Sequence, residues 1–457
     1  MGTQATKKGQ LASILKAGLG TKLVGVISAF AFGYLYSTTP TYGESLRKVD
    51  RDIALVMLRD VRAQLEKYYY DPTFKGLDFG ALGDLAKSRV TNASSIGEAF
   101  SAIAQFVLEL DDSHTFFVAP RQTVKPDYGW TMGMVGNDCF VLTVEPASDA
   151  ARQSVNAGDR ILSVNGFVPT RQTLWRLNYN FNILRPQPGL HVELVTPSGT
   201  ARELDLAAQV NRKKRIIDLT GGDGGADFAQ LVMDDERLEK SRQQATVNLD
   251  EQITVLRVPT FSVDPAELHR QFIRAHKSSV LILDLRGNSG GREDTLLTAI
   301  GDLESTDVAV GSHSERGHKS PMIAQGTGVN AFEGRLFVLV DGQSASAAEI
   351  LARTIQLTNR GTIIGDRTMG AVMTSRIHLL TASHGENAVL YAVSVTAFDV
   401  IMADGGRLEK VGVTPDFVVL PSAADLAAGR DPALALALRF AGHPLDSAAA
   451  GKILANP

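Results

Sequence analysis

The chain contains a single cysteine, Cys139, among its 457 residues. One thiol cannot form an intrachain disulfide, and it cannot supply the several thiolates of a cysteine-based metal site. The chain also lacks an excess of positive charge, because its 46 Lys and Arg residues face 50 Asp and Glu residues and the net charge is -4. Nucleic acid is therefore an unfavourable partner. The length predicts about three globular domains.

The N-terminal segment lacks acidic residues, and its only charges before Glu44 are Lys7, Lys8, Lys16 and Lys22. An uncharged, mostly apolar run follows at 23–36, and a weaker apolar run at 11–19 lengthens it toward the roughly 20 residues of a spanning helix. Lysines before such a segment keep the N-terminus in the cytoplasm. We therefore expect residues 11–36 to anchor an exported chain in the cell envelope, facing the periplasm or cell exterior. A cleaved signal peptide is the alternative.

A buried strand that begins at Leu336 is followed by small residues and then by a predicted helix near Glu349. Ser344 and Ser346 lie between the two elements, at the expected helix N-terminus. Free backbone N–H groups at that end of a helix stabilise an anion, and a serine beside such donors has what acyl transfer requires. The alternative is a small-residue face that packs closely against a neighbouring helix.

A second predicted strand ends in the glycine loop Asp284-Leu-Arg-Gly-Asn-Ser-Gly-Gly291. Such a loop can turn backbone N–H groups toward a bound oxyanion or phosphate. It is not a nucleotide loop of the G-x-x-x-x-G-K-[ST] type, because the chain lacks that pattern.

Together with Gly412-Val-Thr-Pro-Asp416, these two motifs resemble the carboxyl-terminal processing (tail-specific) protease family. The resemblance covers about residues 50–440. It implies an α/β fold, in which a crotonase-like α/β spiral protease core carries an inserted PDZ domain and an N-terminal helical region. Aligning the segment that starts at Ser346 with the family's Ser-Ala-Ser-Glu makes Ser346, rather than Ser344, the nucleophile.

The expected organisation has five parts: a signal or membrane anchor with linker at 1–48, a helical region at 49–124, a PDZ domain at 125–211, a linker or insertion at 212–251 with a helix at 234–244, and the protease core at 252–445. PDZ domains add a peptide as an extra strand and capture its C-terminal carboxylate on backbone amides. The resemblance places that capture at Gly133, Met134, Val135 and Gly136. A small β-domain without a ligand is the alternative.

Most members of the family use a Ser–Lys dyad, but the position of that lysine is Ala371 here. Alanine cannot accept a proton, so that mechanism is missing. The chain instead has Ser113-His114, and Glu409 stands just before the Gly-Val-x-Pro-Asp motif. This combination resembles the tricorn-like branch of the family, in which the histidine is the base. Histidine titrates near 6.5 and is suited to that role, and a carboxylate can hold its tautomer, either directly or through Ser113.

The resemblance further implies that Gly290 or Gly291, with the Ala347 amide, forms the oxyanion hole. Without the other motifs, His114 would be interpreted as a buried histidine near a helix C-terminus. His313 and His318 are expected in a polar loop without a Glu or Cys ligand pattern, so we predict no metal and no cofactor. The expected partners are polypeptides bound by their C-terminal ends and a membrane at the N-terminal segment, and a homo-oligomer is left open.

The sequence leaves two rivals to a serine endopeptidase or carboxyl-terminal processing protease. The first is a catalytically inactive pseudoprotease that serves as a PDZ peptide-binding scaffold. It is motivated by Ala371 and by Leu357, which stands where lysine-type relatives have an aspartate. The second is a Ser–Lys protease whose lysine has been replaced at Ala371, although such a protein would not need His114.

Overall fold

The computed structural model describes residues 46–120, 124–212, 244–249, 251–384 and 387–454. The predicted anchor at 11–36 and residues 234–243 of the predicted linker helix lie outside these ranges. Within the described ranges, no helix combines the length and the apolar character needed to span a bilayer.

The helices of the described residues are α1 (Lys48–Tyr68), α2 (Phe79–Asn92), α3 (Ile96–Leu108), α4 (Asp149–Arg152), α5 (Leu174–Tyr179), α6 (Pro265–Ala275), α7 (Glu293–Leu303), α8 (Ala347–Leu357), α9 (Ala423–Ala427), α10 (Pro432–Ala441) and α11 (Ser447–Ile453). The strands that end by residue 212 are β1 (Phe116–Val118), β2 (Val124–Asp127), β3 (Trp130–Val135), β4 (Asp138–Val144), β5 (Arg160–Val164), β6 (Gly189–Val195), β7 (Ala201–Ala207) and β8 (Gln209–Arg212). The later strands are β9 (Ala245–Asn248), β10 (Ile253–Arg257), β11 (Val280–Asp284), β12 (Val308–Glu315), β13 (His318–Ala324), β14 (Arg335–Val340), β15 (Thr362–Gly365), β16 (Met373–His384), β17 (Asn387–Met402) and β18 (Phe417–Val418).

Helices α1 to α3 occupy the predicted helical region. On α1, a four-residue spacing buries Ile53, Met57, Val61 and Leu65, and the helix packs on β16 and β17. Helix α2 is an element that the sequence pattern did not separate. Its buried side includes Gly83 and Ala86, so the apolar periodicity that marks an amphipathic helix is weak there.

A separate antiparallel sheet, ordered β3-β4-β5-β6-β7, encloses its own apolar core with α4 and α5. Strands β2 and β8 pair with each other at the two ends of this segment, so the chain enters and leaves the domain side by side. Strand β3 is at the edge of the sheet. This β-domain corresponds to residues 125–211 of the sequence expectation.

The C-terminal part is built on a six-stranded sheet, ordered β18-β15-β14-β11-β10-β9, in which only β9 is antiparallel to its neighbour. Successive residues of β11 alternate between two apolar clusters. Leu281 and Leu283 belong to the cluster with α6, α7 and α8, whereas Val280 and Ile282 belong to the cluster with α10. Both faces are therefore covered, as expected for a parallel sheet made of apolar strands.

A second sheet, ordered β1-β17-β12-β13 with β16 also paired to β17, joins the helical region to the C-terminal part. Strand β1 pairs with β17, and Phe117 lies opposite Val393. The expectation that His313 and His318 lie in a polar loop was wrong, because they lie opposite Ser320 and Glu315 in the β12–β13 hairpin. The polar side chains of this hairpin hid its strand character. In the described part of the chain, no cluster of metal-ligating side chains is present.

Candidate active site

The two motif loops leave the same edge of the six-stranded sheet. Strands β11 and β14 are parallel, with Asp284 opposite Leu339, so their carboxyl ends lie side by side. The Asp341 carboxylate joins the loops by accepting hydrogen bonds from the Gly287 amide at 3.0 Å and the Ser344 amide at 2.9 Å. The fully buried Ser344 hydroxyl donates to the Leu285 carbonyl at 2.8 Å. Ser344 is thus committed to holding the turn.

Ser346 occupies a sharp turn between β14 and α8. Its backbone has φ 55° and ψ -117°, which is a sparsely populated conformation for a residue with a side chain and costs about 1–3 kcal/mol. Its neighbours Ala345 and Ala347 are buried, while Ser346 is partly exposed. A strained strand-to-helix turn that presents a serine hydroxyl is the arrangement of a nucleophile elbow.

Gly290 lies directly against Ser346. A Cβ atom added to Gly290 would lie 2.6 Å from the Ser346 Cβ and 3.1 Å from its Oγ, and the glycine has φ 95°. Both the space and the backbone angle therefore require glycine at this position. The neighbouring Gly291 has φ 146° and would place a Cβ within 2.3 Å of the Phe261 backbone.

The two glycines differ in whether their amides are free. The Gly290 N–H donates to the Asn288 Oδ1 at 2.8 Å, and Asn288 is fully buried. Among the residues that the structure describes, the Gly291 and Ala347 amides have no hydrogen-bond partner. Of the two glycines implied by the resemblance, Gly291 is therefore the one that keeps a donor for an oxyanion.

His114 lies in a turn between α3 and β1. The buried Asp112 carboxylate fixes that turn, because its Oδ1 accepts from the backbone amides of His114 at 3.1 Å and Thr115 at 2.7 Å. The His114 Nδ1 lies 2.7 Å from the Ser113 Oγ. In the described ranges of the chain, the other ring nitrogen, Nε2, has no hydrogen-bond partner.

Glu409 reaches His114 through Ser113. The Glu409 carboxylate accepts from the Ser113 amide at 2.9 Å through Oε1 and from the Ser113 hydroxyl at 2.8 Å through Oε2. Because the hydroxyl hydrogen goes to the carboxylate, the Ser113 oxygen accepts from the His114 Nδ1–H. That assignment leaves the imidazole Nε2 as a proton acceptor. Burial raises the pKa of the Glu409 carboxyl, against the lowering effect of its hydrogen bonds from Ser113 and Val372.

A single peptide unit joins the Ser346 side of the site to the Glu409 side. The carbonyl of Ala371 accepts from the Ser346 N–H at 2.9 Å. The N–H of the same peptide unit, which belongs to Val372, donates to the Glu409 Oε2 at 2.8 Å. Ala371, the position at which the resemblance implies a lysine in most family members, therefore contributes here through its backbone.

Glu349 is a residue of the site to which the sequence reasoning assigned no role. Its fully buried carboxylate accepts from four donors, which are the Ser346, Gly370 and Ala371 amides and the Thr368 hydroxyl. Burial raises the pKa of this carboxyl to about 7, and these hydrogen bonds oppose the rise. Glu349 thereby clamps the 368–371 segment onto the start of α8. Its place in the Ser-Ala-Ala-Glu motif was the available signal.

The surroundings of His114 favour its neutral form. Burial lowers the pKa of the imidazole to about 4, and the negative charge of Asp112 acts in the opposite direction. A neutral imidazole can accept a proton over most of the physiological pH range.

The four residues expected to capture a peptide carboxylate do not form an open loop. Gly133, Met134 and Val135 belong to β3, and Gly136, with φ 59°, begins the turn to β4. The Gly136 amide donates to the Asp366 carboxylate of the C-terminal part at 2.8 Å. Arg171 completes this contact by bonding Asp366 at 2.5 Å and the Gly136 carbonyl at 2.7 Å. These four residues therefore form the end of a strand and the start of a two-residue turn.

Residues 252–419 match the model of Peptidase family S41. The chain therefore resembles peptidase family S41 over this segment, which is less than half of its length. It is a serine peptidase, and its match to the family contains the glycine loop, Ser346 and Glu409. His114 lies outside the matched residues.

Related proteins carry names of the same kind. A chloroplastic C-terminal processing peptidase of Tetradesmus obliquus is 25% identical over 385 residues, which are 80% of this chain and 77% of that protein. A putative tricorn protease homolog 2 of Streptomyces coelicolor is 25% identical over 402 residues, covering 82% of this chain and 31% of that protein. The solved structure of mature CPAF superposes with a TM-score of 0.62 at 15% identity, covering 83% of this chain and 95% of that chain. At that identity the superposition shows a shared fold alone.

Proposed function

We propose that this serine peptidase cleaves extended polypeptides by acyl transfer, with Ser346 as the nucleophile and His114 as its base. Glu409 acts through Ser113 to hold the imidazole. The observation that carries the proposal is the hydrogen-bonded series Glu409–Ser113–His114, which is tied to the Ser346 backbone by the 371–372 peptide unit. Among the described residues, the Ser346 hydroxyl and the His114 Nε2 do not hydrogen-bond each other, so the link between nucleophile and base runs through the backbone.

In the acylation step, the Ser346 Oγ attacks the carbonyl carbon of the scissile peptide bond, and the His114 Nε2 takes the hydroxyl proton. The negative charge that develops on the carbonyl oxygen is stabilised by the Gly291 and Ala347 amides, whose hydrogens are not engaged elsewhere in the described structure. His114 then gives its proton to the leaving amine, and the C–N bond breaks. The Glu409 carboxylate stabilises the transient imidazolium through Ser113.

In the deacylation step, a water molecule attacks the acyl-enzyme and gives its proton to the His114 Nε2. The second oxyanion forms at the same two amides. Its collapse breaks the bond to Ser346, which recovers its proton from the imidazolium. Both steps use His114 first as a base and then as an acid, and no lysine is required at position 371.

The substrate class follows from the β-domain as well as from the active site. Strand β3 is an edge strand, and an extended peptide can add to such an edge through main-chain hydrogen bonds. We propose, as the resemblance implies, that this PDZ-like domain binds the C-terminal end of the polypeptide. Capture of the terminal carboxylate at Gly136 would require displacement of Asp366. Export of the chain through the predicted anchor stays a prediction.

Incubation of the full chain with an unfolded polypeptide tests the function. The unmodified chain should produce peptides, and Ser346→Ala should produce none. Labelling of Ser346 by a fluorophosphonate probe tests the nucleophile independently of the substrate, because only an activated serine reacts. If the unmodified chain neither cleaves nor becomes labelled, the inactive peptide-binding scaffold suggested by Ala371 replaces this proposal. If Ala371→Lys is needed for turnover, the Ser–Lys rival replaces it.

A further inference from the structure

The mechanism leaves one buried carboxylate beside His114 without a role. Asp112 is 3% exposed, and the groups that bond it are hydrogen-bond donors from three parts of the chain. Its Oδ1 accepts from the His114 and Thr115 amides and from the Thr396 hydroxyl at 2.8 Å. Its Oδ2 accepts from the Tyr69 hydroxyl at 2.8 Å. Within the described ranges, no cation pairs with it, so its charge is not cancelled by an ion pair.

We propose that Asp112 is a positioning residue that fixes the His114 turn and places an uncancelled negative charge within that turn. This inference rests on the proposed role of His114 as the base. It adds a second carboxylate to the site, on the backbone side of the histidine, whereas Glu409 acts on the ring through Ser113.

The positional part of the inference follows from the hydrogen bonds. An aspartate side chain that accepts from the backbone amides two and three residues later forms an Asx-type turn. Here the aspartate is Asp112, and the amides are those of His114 and Thr115. The Thr396 hydroxyl anchors the same carboxylate oxygen to β17, and Tyr69 anchors the other oxygen to the end of α1. The turn that carries His114 is therefore fastened to the helical region and to the second sheet through one side chain.

The electrostatic part follows from the balance of two effects on the imidazole. Burial lowers the pKa of His114, and the Asp112 charge raises it. Without that charge the pKa would fall below about 4, and the neutral imidazole would be a weaker base at neutral pH. The same charge stabilises the imidazolium formed during catalysis, because a raised pKa means that the protonated ring is favoured.

The other charged groups near the turn are bonded to other residues of the turn. Glu409 lies behind Ser113. Lys75 donates to the Leu110 and Asp111 carbonyls, while Arg176 and Lys410 both pair with the exposed Asp111 carboxylate. These three cations are therefore bound to the preceding residues of the turn.

The test is the pH dependence of kcat in neutral variants of Asp112. The Asp112→Asn variant keeps a side-chain oxygen that can accept from the two backbone amides. The Asp112→Ser variant can cap the same turn through its hydroxyl. We expect kcat at neutral pH to fall on the order of tenfold and the acid limb to move to lower pH by about half a unit or more. Using both variants keeps the test decisive if one does not fold.

Asp60→Asn is the matched control. Asp60 also accepts a tyrosine hydroxyl, that of Tyr391 at 3.1 Å, but it does not contact the His114 turn. The acid limb of the kcat–pH profile of Asp60→Asn should match that of the unmodified chain. If the folded Asp112 variants keep the same acid limb, the inference is overturned while the base role of His114 stands. If His114→Ala retains full activity, the proposed function fails first, and the role of Asp112 fails with it.

Discussion

The side of the site that holds the proposed nucleophile, Ser346, and the side that holds the proposed base, His114, are built in different ways. The nucleophile side consists of loops that follow two adjacent parallel strands, and Asp341, Asn288 and Glu349 hold it through bonds within the C-terminal part. The base side joins a turn of the helical region to a loop near the end of the chain, through Ser113 and Glu409, which are 296 residues apart. One side is assembled within the C-terminal part, whereas the other side forms only when the helical region and the C-terminal part come together.

This difference predicts how variants should separate. A change on the nucleophile side should remove the reactive serine or its surroundings directly. A change on the base side should leave the serine in place but no longer activated. If both sides form one unit, losses on the two sides should not add.

The largest expected effect tests that unity. Ser346→Ala and His114→Ala should each lower proteolysis of an unfolded substrate by about a thousandfold or more, and the double variant should be no worse than Ser346→Ala alone. The measurement is kcat/KM for the three proteins, with thermal unfolding as a check on folding. Additive losses in the double variant would show that the two residues act independently.

Glu409→Gln should cost less than His114→Ala but should still reduce kcat by about a hundredfold to ten-thousandfold. Three donors face the Glu409 carboxylate, namely the Ser113 hydroxyl, the Ser113 amide and the Val372 amide. A glutamine accepts through one oxygen only, so its NH2 group would face at least one of these donors. The imidazole then loses the bond pattern that leaves Nε2 as the acceptor. Asp404→Asn, in the same segment but paired with Arg353, is the control and should be near the unmodified rate. Equal rates for both variants would remove Glu409 from the mechanism.

Gly290→Ala should reduce kcat by about a hundredfold, because the new methyl group would displace Ser346 and a misplacement of about 1 Å has that effect. Gly287→Ala is the control, because it introduces backbone strain without a steric clash. Gly287 also has a positive φ, 71°, but a Cβ there would meet no atom within 4 Å. We expect Gly287→Ala to lower stability by about 1 kcal/mol with kcat largely retained. Similar kcat values for the two variants would contradict the packing of Gly290 against the nucleophile.

The smallest expected effect concerns peptide ends. In the Ser346→Ala background, we expect a peptide with a free C-terminal carboxylate to bind only slightly more tightly than its amidated form, because Asp366 already occupies the Gly136 amide. Asp366→Ala should widen that preference several-fold, since it frees the amide and the Arg171 guanidinium. Asp138→Ala, an exposed change in the same β-domain, is the control. If titration shows that Asp366→Ala has an unchanged preference for the free over the amidated peptide, the peptide's terminal carboxylate binds elsewhere.

The same contrast explains what the sequence could predict. Strands β11 and β14 are short apolar runs followed by glycine or small residues, so their position and the start of α8 near Glu349 follow from local pattern. Motif alignment predicted Ser346, rather than Ser344, as the nucleophile. In the structure, the Ser344 hydroxyl is buried and hydrogen-bonded to a backbone carbonyl.

Features that depend on tertiary contacts were not predictable in this way. The choice between Gly290 and Gly291 depends on the position of the Asn288 side chain. Three of the four bonds of Glu349 come from a segment about twenty residues further along the chain. Helix α2 and the β12–β13 hairpin have weak or polar patterns, so packing decides their form rather than periodicity.

The most direct test of the account is the rate at which a fluorophosphonate labels Ser346, measured from pH 3 to 8 in the unmodified chain and in His114→Ala. Burial sets the pKa of His114 at about 4, so the imidazole is neutral above that pH and protonated below it. The account predicts that labelling of the unmodified chain persists at pH 5–6 and falls as the pH drops through about 4, and that folded His114→Ala is labelled at least about a hundredfold more slowly across the range. Equal labelling of the two proteins would contradict the role of His114 as the base for Ser346.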